Sequence, residues 1–236
     1  MDRNIPSNPT ITSTSNARKT LLNIAYCVPE LHSLEVKDSS FMQQARIFRG
    51  LKDLGHRVTM FAPKDLSDVE QTADLSNRSD LKRTWSRSAG FQLVRKASWL
   101  VQKQLGIPYL NYFSNFSWQD AFQGGLSGFD LVQERNGLYK YAAAMAARRL
   151  KIPYVLFFDA DDLFEHDYLG IPLKGVLRKR AQETAAYNLR TASRIICVSQ
   201  ETGNRLVKVW GVPEEKIYVH PNGVDVNLHC PYPETR

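Results

Sequence analysis

Five acids stand within nine residues of one another, namely Asp159, Asp161, Asp162, Glu165 and Asp167, with His166 among them. Hard carboxylate oxygens at that density suit a divalent cation such as Mg²⁺ or Mn²⁺. The same acids can equally cap a helix, because a side-chain oxygen there accepts the free N–H groups of the first turn. His166 reads as a solvated surface residue. A second group, Glu134-Arg135-Asn136, puts a charged pair where it can touch a substrate or close as an ion pair. A third, Lys37-Asp38-Ser39-Ser40, offers hydroxyls, amides and a cation at a helix start, which can hold a phosphate or serve only as a capping turn. Later in the chain, Ser199 can cap a helix and Asn222-Gly223 suits a turn of positive φ. His229 and Cys230 are two ligands, too few for a zinc site, and no metal site is expected.

These groups matter because of where the surrounding elements put them. Apolar, β-rich runs alternate with stretches of helical period: Leu21 to Val28, then a helix from about Asp38 to Leu54, then His56 to Ala62. Pro63 to about Gly90 gives no clear pattern. A helix follows over Phe91 to Leu105, and then an aromatic, turn-rich stretch up to Gly128. The series resumes with a strand at Phe129 to Glu134, a helix from about Gly137 to Leu150, and a strand at Ile152 to Asp159. A helix over about Leu173 to Arg190, a strand at Ser193 to Ser199, a helix to about Trp210 and a strand at Lys216 to His220 complete it. Strands buried on both faces read as unbroken apolar runs, and right-handed β-α-β crossovers make them parallel. The expected fold is α/β: a doubly wound, mostly parallel sheet with helices on both faces. Such sheets bind ligands at the carboxyl ends of their strands, where all the groups above fall.

Composition removes other classes. The 236 residues are 43% hydrophobic and 23% charged, as in an ordinary globular protein. No run of apolar residues is long enough to span a bilayer. Residues 1–20 are rich in Ser, Thr and Asn without an apolar core, so they read as a polar, disordered tail rather than a secretory signal. Cys27 and Cys197 lie inside apolar runs and read as reduced, buried thiols, which fits a cytoplasmic chain. The sequons at Asn77 and Asn115 carry no meaning without a secretory route.

The block RIICVSQETGNRLVKVWGVPEEKIYVHPNGVD, Arg194 to Asp225, resembles the end of the N-terminal domain of family-4 glycosyltransferases. These are GT-B enzymes that use nucleotide-sugars. GLKDLGHRVTMFAP (Gly50 to Pro63), DLVQERNG (Asp130 to Gly137) and KIPYVLFFDADDLFE (Lys151 to Glu165) are similar to further segments of that family. The likeness covers about Leu21 to Pro231. It implies that 21–228 form a Rossmann-like acceptor-side domain, one half of a GT-B architecture, and that 229–236 begin an interdomain linker. The family's glycine pair after the first strand is replaced by Asp38-Ser39-Ser40. The resemblance further implies retaining transfer of a sugar from a nucleotide-sugar to a hydroxyl acceptor, sugar or lipid-linked, with no cofactor or essential metal. A donor domain, in cis or as a partner chain in trans, would complete the enzyme. Asp159 and Asp161 would then lie near the acceptor hydroxyl, with Glu134 and Arg135 shaping the cleft. Glu165 would stand at the rim, and Lys37, Ser39, Ser40, Asp162, Ser199, Asn222 and Gly223 would contribute to binding. Alternatives are a non-catalytic binding module, a gene fragment, or a metal-dependent GT-A transferase whose DxD signature FFDADD resembles.

Net charge is +7, and +6 of it falls between Arg78 and Lys103, where Trp85, Phe91, Leu93, Val94, Trp99, Leu100 and Val101 interleave with the cations. One reading is a helix packed on the sheet with a solvated basic face. The other is a peripheral contact with an anionic membrane at its inner face. No nucleic-acid reading motif accompanies the charge, so nucleic acid is not an expected partner.

Overall fold

The computed structural model describes residues 20–28, 39–61, 85–104 and 112–223. Expectations for the tail up to residue 19, for Lys37 and for 229–236 lie outside these residues. The described strands are β1 (Asn23–Cys27), β2 (Arg57–Phe61), β3 (Leu131–Arg135), β4 (Tyr154–Phe158), β5 (Arg194–Cys197) and β6 (Ile217–Val219). They form one sheet in the order β2-β1-β3-β4-β5-β6, and every pairing is parallel. The doubly wound, Rossmann-like α/β expectation is met.

Order and handedness decide where the helices lie. From β1 the chain steps one way, through α1 (Ser39–Asp53), to β2. From β3 it steps the other way through α4 (Ala142–Leu150), α6 (Gly175–Thr191) and α7 (Gln200–Trp210). With right-handed crossovers, the two directions send their helices to opposite faces. Phe48, Ala45, Ile47 and Leu51 of α1 accordingly cover Ile24, Tyr26, Val58 and Met60. The other face carries the larger core, in which Ala143, Ala147, Leu189 and Leu206 meet Ala25, Val132, Leu156 and Ile195.

Three elements depart from the sequence reading. The aromatic stretch before Gly128 contains a helix, α3 (Tyr112–Gly125). Aromatic, Asn and Ser residues are weak helix formers, so propensity hides it. It forms because Trp118, Ala121 and Phe122, at three- and four-residue spacing, pack into the larger core. Helix α4 begins at Ala142, not Gly137, since Tyr139 takes a left-handed φ of 62°. That conformation is strained for a bulky residue and is held from outside. Asn115 Nδ2 donates to Tyr139 O at 2.6 Å, and its Oδ1 accepts from Tyr141 N at 3.0 Å. Asn115 is thus buried structure. The third addition is the short α5 (Asp162–Tyr168), which uses the acidic cluster as its start. Finally, the helix expected over 91–105 is α2 (Ala89–Gln104).

Both described cysteines are free and fully buried. Burial pushes the Cys197 thiol up to about 11. It also raises Cys27, helped by the neighbouring Glu134 carboxylate, and raises Tyr154 through burial and then that same carboxylate. The folded state therefore holds protons that the unfolded chain releases from about pH 9 upward. The contribution of these groups is level below that pH and falls as pH climbs above it. Urea midpoints are expected to drop between pH 8.5 and pH 10.5, and iodoacetamide should reach Cys27 and Cys197 only on unfolding, as peptide mapping will read.

Candidate functional site

Two cavities flank the carboxyl ends of the strands, and the expected residues divide between them. The larger, about 830 Å³, is a groove between α1 and the sheet face that no other described helix covers. Arg135, Asp159, Asn222 and Gly223 line it, as do Gln43, Arg46, Arg49, Gln133, Phe157 and His220. At its mouth Arg135, the last residue of β3, donates to Asp159 Oδ2 from Nε at 2.9 Å and from Nη2 at 2.5 Å. Both bonds fall on Oδ2, and Asp159 is one of the residues that line the groove. The pair is partly exposed, at 25% and 17% of the side chains. Across the mouth, Gln43 Nε2 donates to Asn222 Oδ1, which ties the segment after β6 to the first turn of α1.

The second cavity, about 420 Å³, lies between α5, α6 and α7. Asp161 stands in its wall and is buried. It caps α5 by accepting from Phe164 N at 3.3 Å, and its Oδ2 accepts from Arg205 Nε at 2.7 Å and Trp210 Nε1 at 2.9 Å. Arg205 also lies over the Phe164 ring, 4.2 Å from its centre. The Asp161 carboxylate is committed to holding α5 against α7, which suits it poorly to take a proton from a substrate. Asp162 belongs to the same turn, where it accepts from Asn136 Nδ2 at 3.1 Å; Asn136 also donates to Ala160 O. Farther along, Asp167 meets Arg178 through two bonds of 2.7 and 2.8 Å, and the guanidinium holds that exposed carboxyl below its ordinary range. His166 Nδ1 lies 3.3 Å from Ile171 O.

Several expected residues stand elsewhere. Glu134 follows strand alternation to the opposite face from Arg135, where it is buried and accepts from Tyr154 OH at 2.6 Å. It does not line the groove. Ser199 caps α7, accepting from Thr202 N at 3.1 Å. Glu165 is exposed on α5. Ser39 and Ser40 begin α1, and their side chains lie outside the described set. Asp159 and Asp161 do not converge, since each is engaged by a different cation. Among the described residues, no three His, Cys, Asp or Glu side chains gather as metal ligands. Gln43, Arg46 and Arg49 were missed, although their three-residue spacing in α1 marks a polar stripe. Gln133 was legible as the polar residue that alternation turns toward Arg135's side.

The family model described as Glycosyltransferase Family 4 matches residues 45–228. Among solved structures, the Anabaena protein Alr3699/HepE in complex with UDP and glucose aligns with a TM-score of 0.50 and 16% identity. That alignment covers 89% of this chain and 47% of HepE. A glycosyltransferase from Rickettsia africae ESF-5 aligns with a TM-score of 0.45 and 16% identity, over 88% of this chain and 44% of its own. A UDP-glucosyltransferase from Polygonum tinctorium gives 0.48 and 16%, over 87% and 53%. The chain thus spans about half the length of these proteins, and at such identities the likeness is one of fold. No curated protein matches the sequence.

The two aspartates should separate in stability measurements. Asp161→Ala removes a cap and uncouples Arg205 and Trp210, and is expected to cost about 2–4 kcal/mol by urea unfolding. Asp159→Asn breaks a solvent-touched pair and should cost less than about 1 kcal/mol. Equal losses would contradict this division of roles.

Proposed function

The chain belongs to Glycosyltransferase Family 4, and from that membership we propose that it is the acceptor-binding half of a retaining glycosyltransferase. Its co-substrate is a nucleotide-sugar held by a donor-binding domain, and the acceptor hydroxyl lies in the α1 groove. The observation that carries the reading is the Arg135–Asp159 pair at the groove's mouth, at the carboxyl ends of β3 and β4. Ligands of doubly wound sheets sit at that edge, beside the point where strand order reverses.

Each residue has a defined part in this reading. Arg135 fixes the Asp159 carboxylate through one oxygen. Oδ1 receives the acceptor O–H, orients its oxygen and stands as the nearest base for its proton. The acceptor oxygen then bonds to the anomeric carbon on the same face from which the nucleoside diphosphate leaves with its bonding pair, so the anomeric configuration is kept. Gln43, Gln133 and Asn222 present neutral donors and acceptors, as polyhydroxyl recognition requires. Phe157 and Ile196 supply apolar floor. Asp161 positions the β4–α5 turn that carries Asp159 and does not touch the acceptor. The UDP and glucose bound by HepE support a nucleotide-sugar as the co-substrate.

Acceptor binding and transfer test the proposal together. With alkyl glucosides, galactosides and mannosides as probes, calorimetry on the full chain should show binding by at least one. Asp159→Asn should weaken it about tenfold, the value of one charge-assisted hydrogen bond. A radiolabelled transfer assay with UDP- and GDP-sugars should give turnover only when a donor-binding domain is present. Tight nucleotide-sugar binding by the chain with no glycoside binding would overturn the assignment.

A further inference from the structure

At the opposite edge of the sheet, where β4 and β5 begin, a cavity of about 490 Å³ opens between the last turns of α4 and α6. Three cations line it, Arg148, Lys151 and Arg190, and no acid does. All three are exposed. Ile152, Tyr187 and Thr191 form part of the same wall.

Helix ends draw cations for a structural reason, because their free carbonyls are partly negative. Here other groups do that work. Lys216 Nζ donates to Ala192 O at 3.0 Å and to Arg190 O at 3.4 Å, closing the end of α6. At α4 the backbone turns back on itself: Lys151, with a left-handed φ of 56°, donates its N–H to Arg148 O at 3.3 Å, and Ile152 N donates to Ala147 O at 2.9 Å. The side chains of Arg148, Lys151 and Arg190 enter no hydrogen bond or ion pair among the described residues. Arg148 lies only over the Tyr187 ring, 6.0 Å from its centre. Arg190 also borders the cavity behind Asp161, but the acids there are already taken. Asp161 pairs with Arg205, Asp167 with Arg178 and Glu183 with Arg180.

Three unmatched charges of one sign on a concave wall focus their field on whatever enters it. Two guanidinium forks and an ammonium suit phosphate oxygens, which take paired N–H bonds. A phosphomonoester carries about −1.5 to −2 charges, whereas a single carboxylate would leave most of the site unmatched. The Thr191 hydroxyl adds a donor, and Ile152 with the Tyr187 ring adds apolar wall. The volume is that of a small-molecule pocket, which spans about 300–1,000 Å³.

We propose that this cavity binds phosphate, free or carried by a small molecule, through Arg148, Lys151 and Arg190. It lies at the other edge of the sheet from the α1 groove, so it stands or falls apart from the acceptor reading.

Calorimetry of the full chain with inorganic pyrophosphate, at fixed chloride, tests it. Arg148→Gln, Lys151→Asn and Arg190→Gln should each weaken binding about fivefold to tenfold, and the triple variant should abolish it. Asparagine accepts the left-handed φ at 151, and all three side chains are exposed, so circular dichroism should not change. Arg180→Gln, which breaks only an exposed pair, and Arg46→Gln/Arg49→Gln in the groove should bind as the wild type does. Phenyl phosphate binding more tightly than inorganic phosphate would support a phosphorylated small molecule as the ligand, and equal affinity would support the free anion. Absence of pyrophosphate binding would overturn the proposal. So would binding that survives the triple variant, or binding that falls with the groove arginines instead.

Discussion

The handedness of β-α-β crossovers is the constraint on which the molecule turns. β1 sends its chain toward β2, and β3 sends its chain toward β4, so their helices must occupy opposite faces. The face under α4, α6 and α7 closes into the main core. The face under α1 is covered over β1 and β2, and beyond β1 it opens as the groove. The open half-face follows from strand order, and no residue had to be chosen to create it. What the side chains add is its chemistry: a guanidinium and a carboxylate at the mouth, amides along the wall and a phenylalanine on the floor.

Placement of that carboxylate rests on its neighbour two residues on. Asp161 receives bonds from α5 and α7 at once and is almost wholly buried, whereas Asp159 is partly exposed and lines the groove. Two aspartates separated by one residue thus divide the work, one fixing the turn and one lining the groove. Buried ion pairs are weak evidence for stability in general. Here the pair matters for geometry, because it sets the direction in which the chain leaves β4.

Most of the architecture was legible in sequence, since apolar runs and helical stripes report burial directly. The block from Arg194 to Asp225 also pointed to the family that residues 45–228 match. What escaped reading depended on tertiary contact. α3 is helical despite its composition because three of its residues pack on the core, and α4 starts late, at Ala142, because Asn115, remote in sequence, grips the strained loop at Tyr139. The site was half legible. Strand ends marked Arg135, Asp159 and Asn222, but alternation alone could have sent Glu134 to the far face, and α1's polar stripe was passed over. Asp159 and Asp161 looked equivalent in sequence because the difference lies in Arg205 and Trp210, which only folding brings near.

The central claim is that ligand occupies the α1 groove and not the cavity behind Asp161. Photo-crosslinking with a diazirine-bearing glycoside, followed by peptide mapping, distinguishes the two most directly. The account requires labels on 43–53, 133–135, 157–159 and 220–223, suppressed by excess unlabelled glycoside. Competed labelling confined to 161–167, 178–190 and 205–210 would place the ligand between α5, α6 and α7 and contradict it.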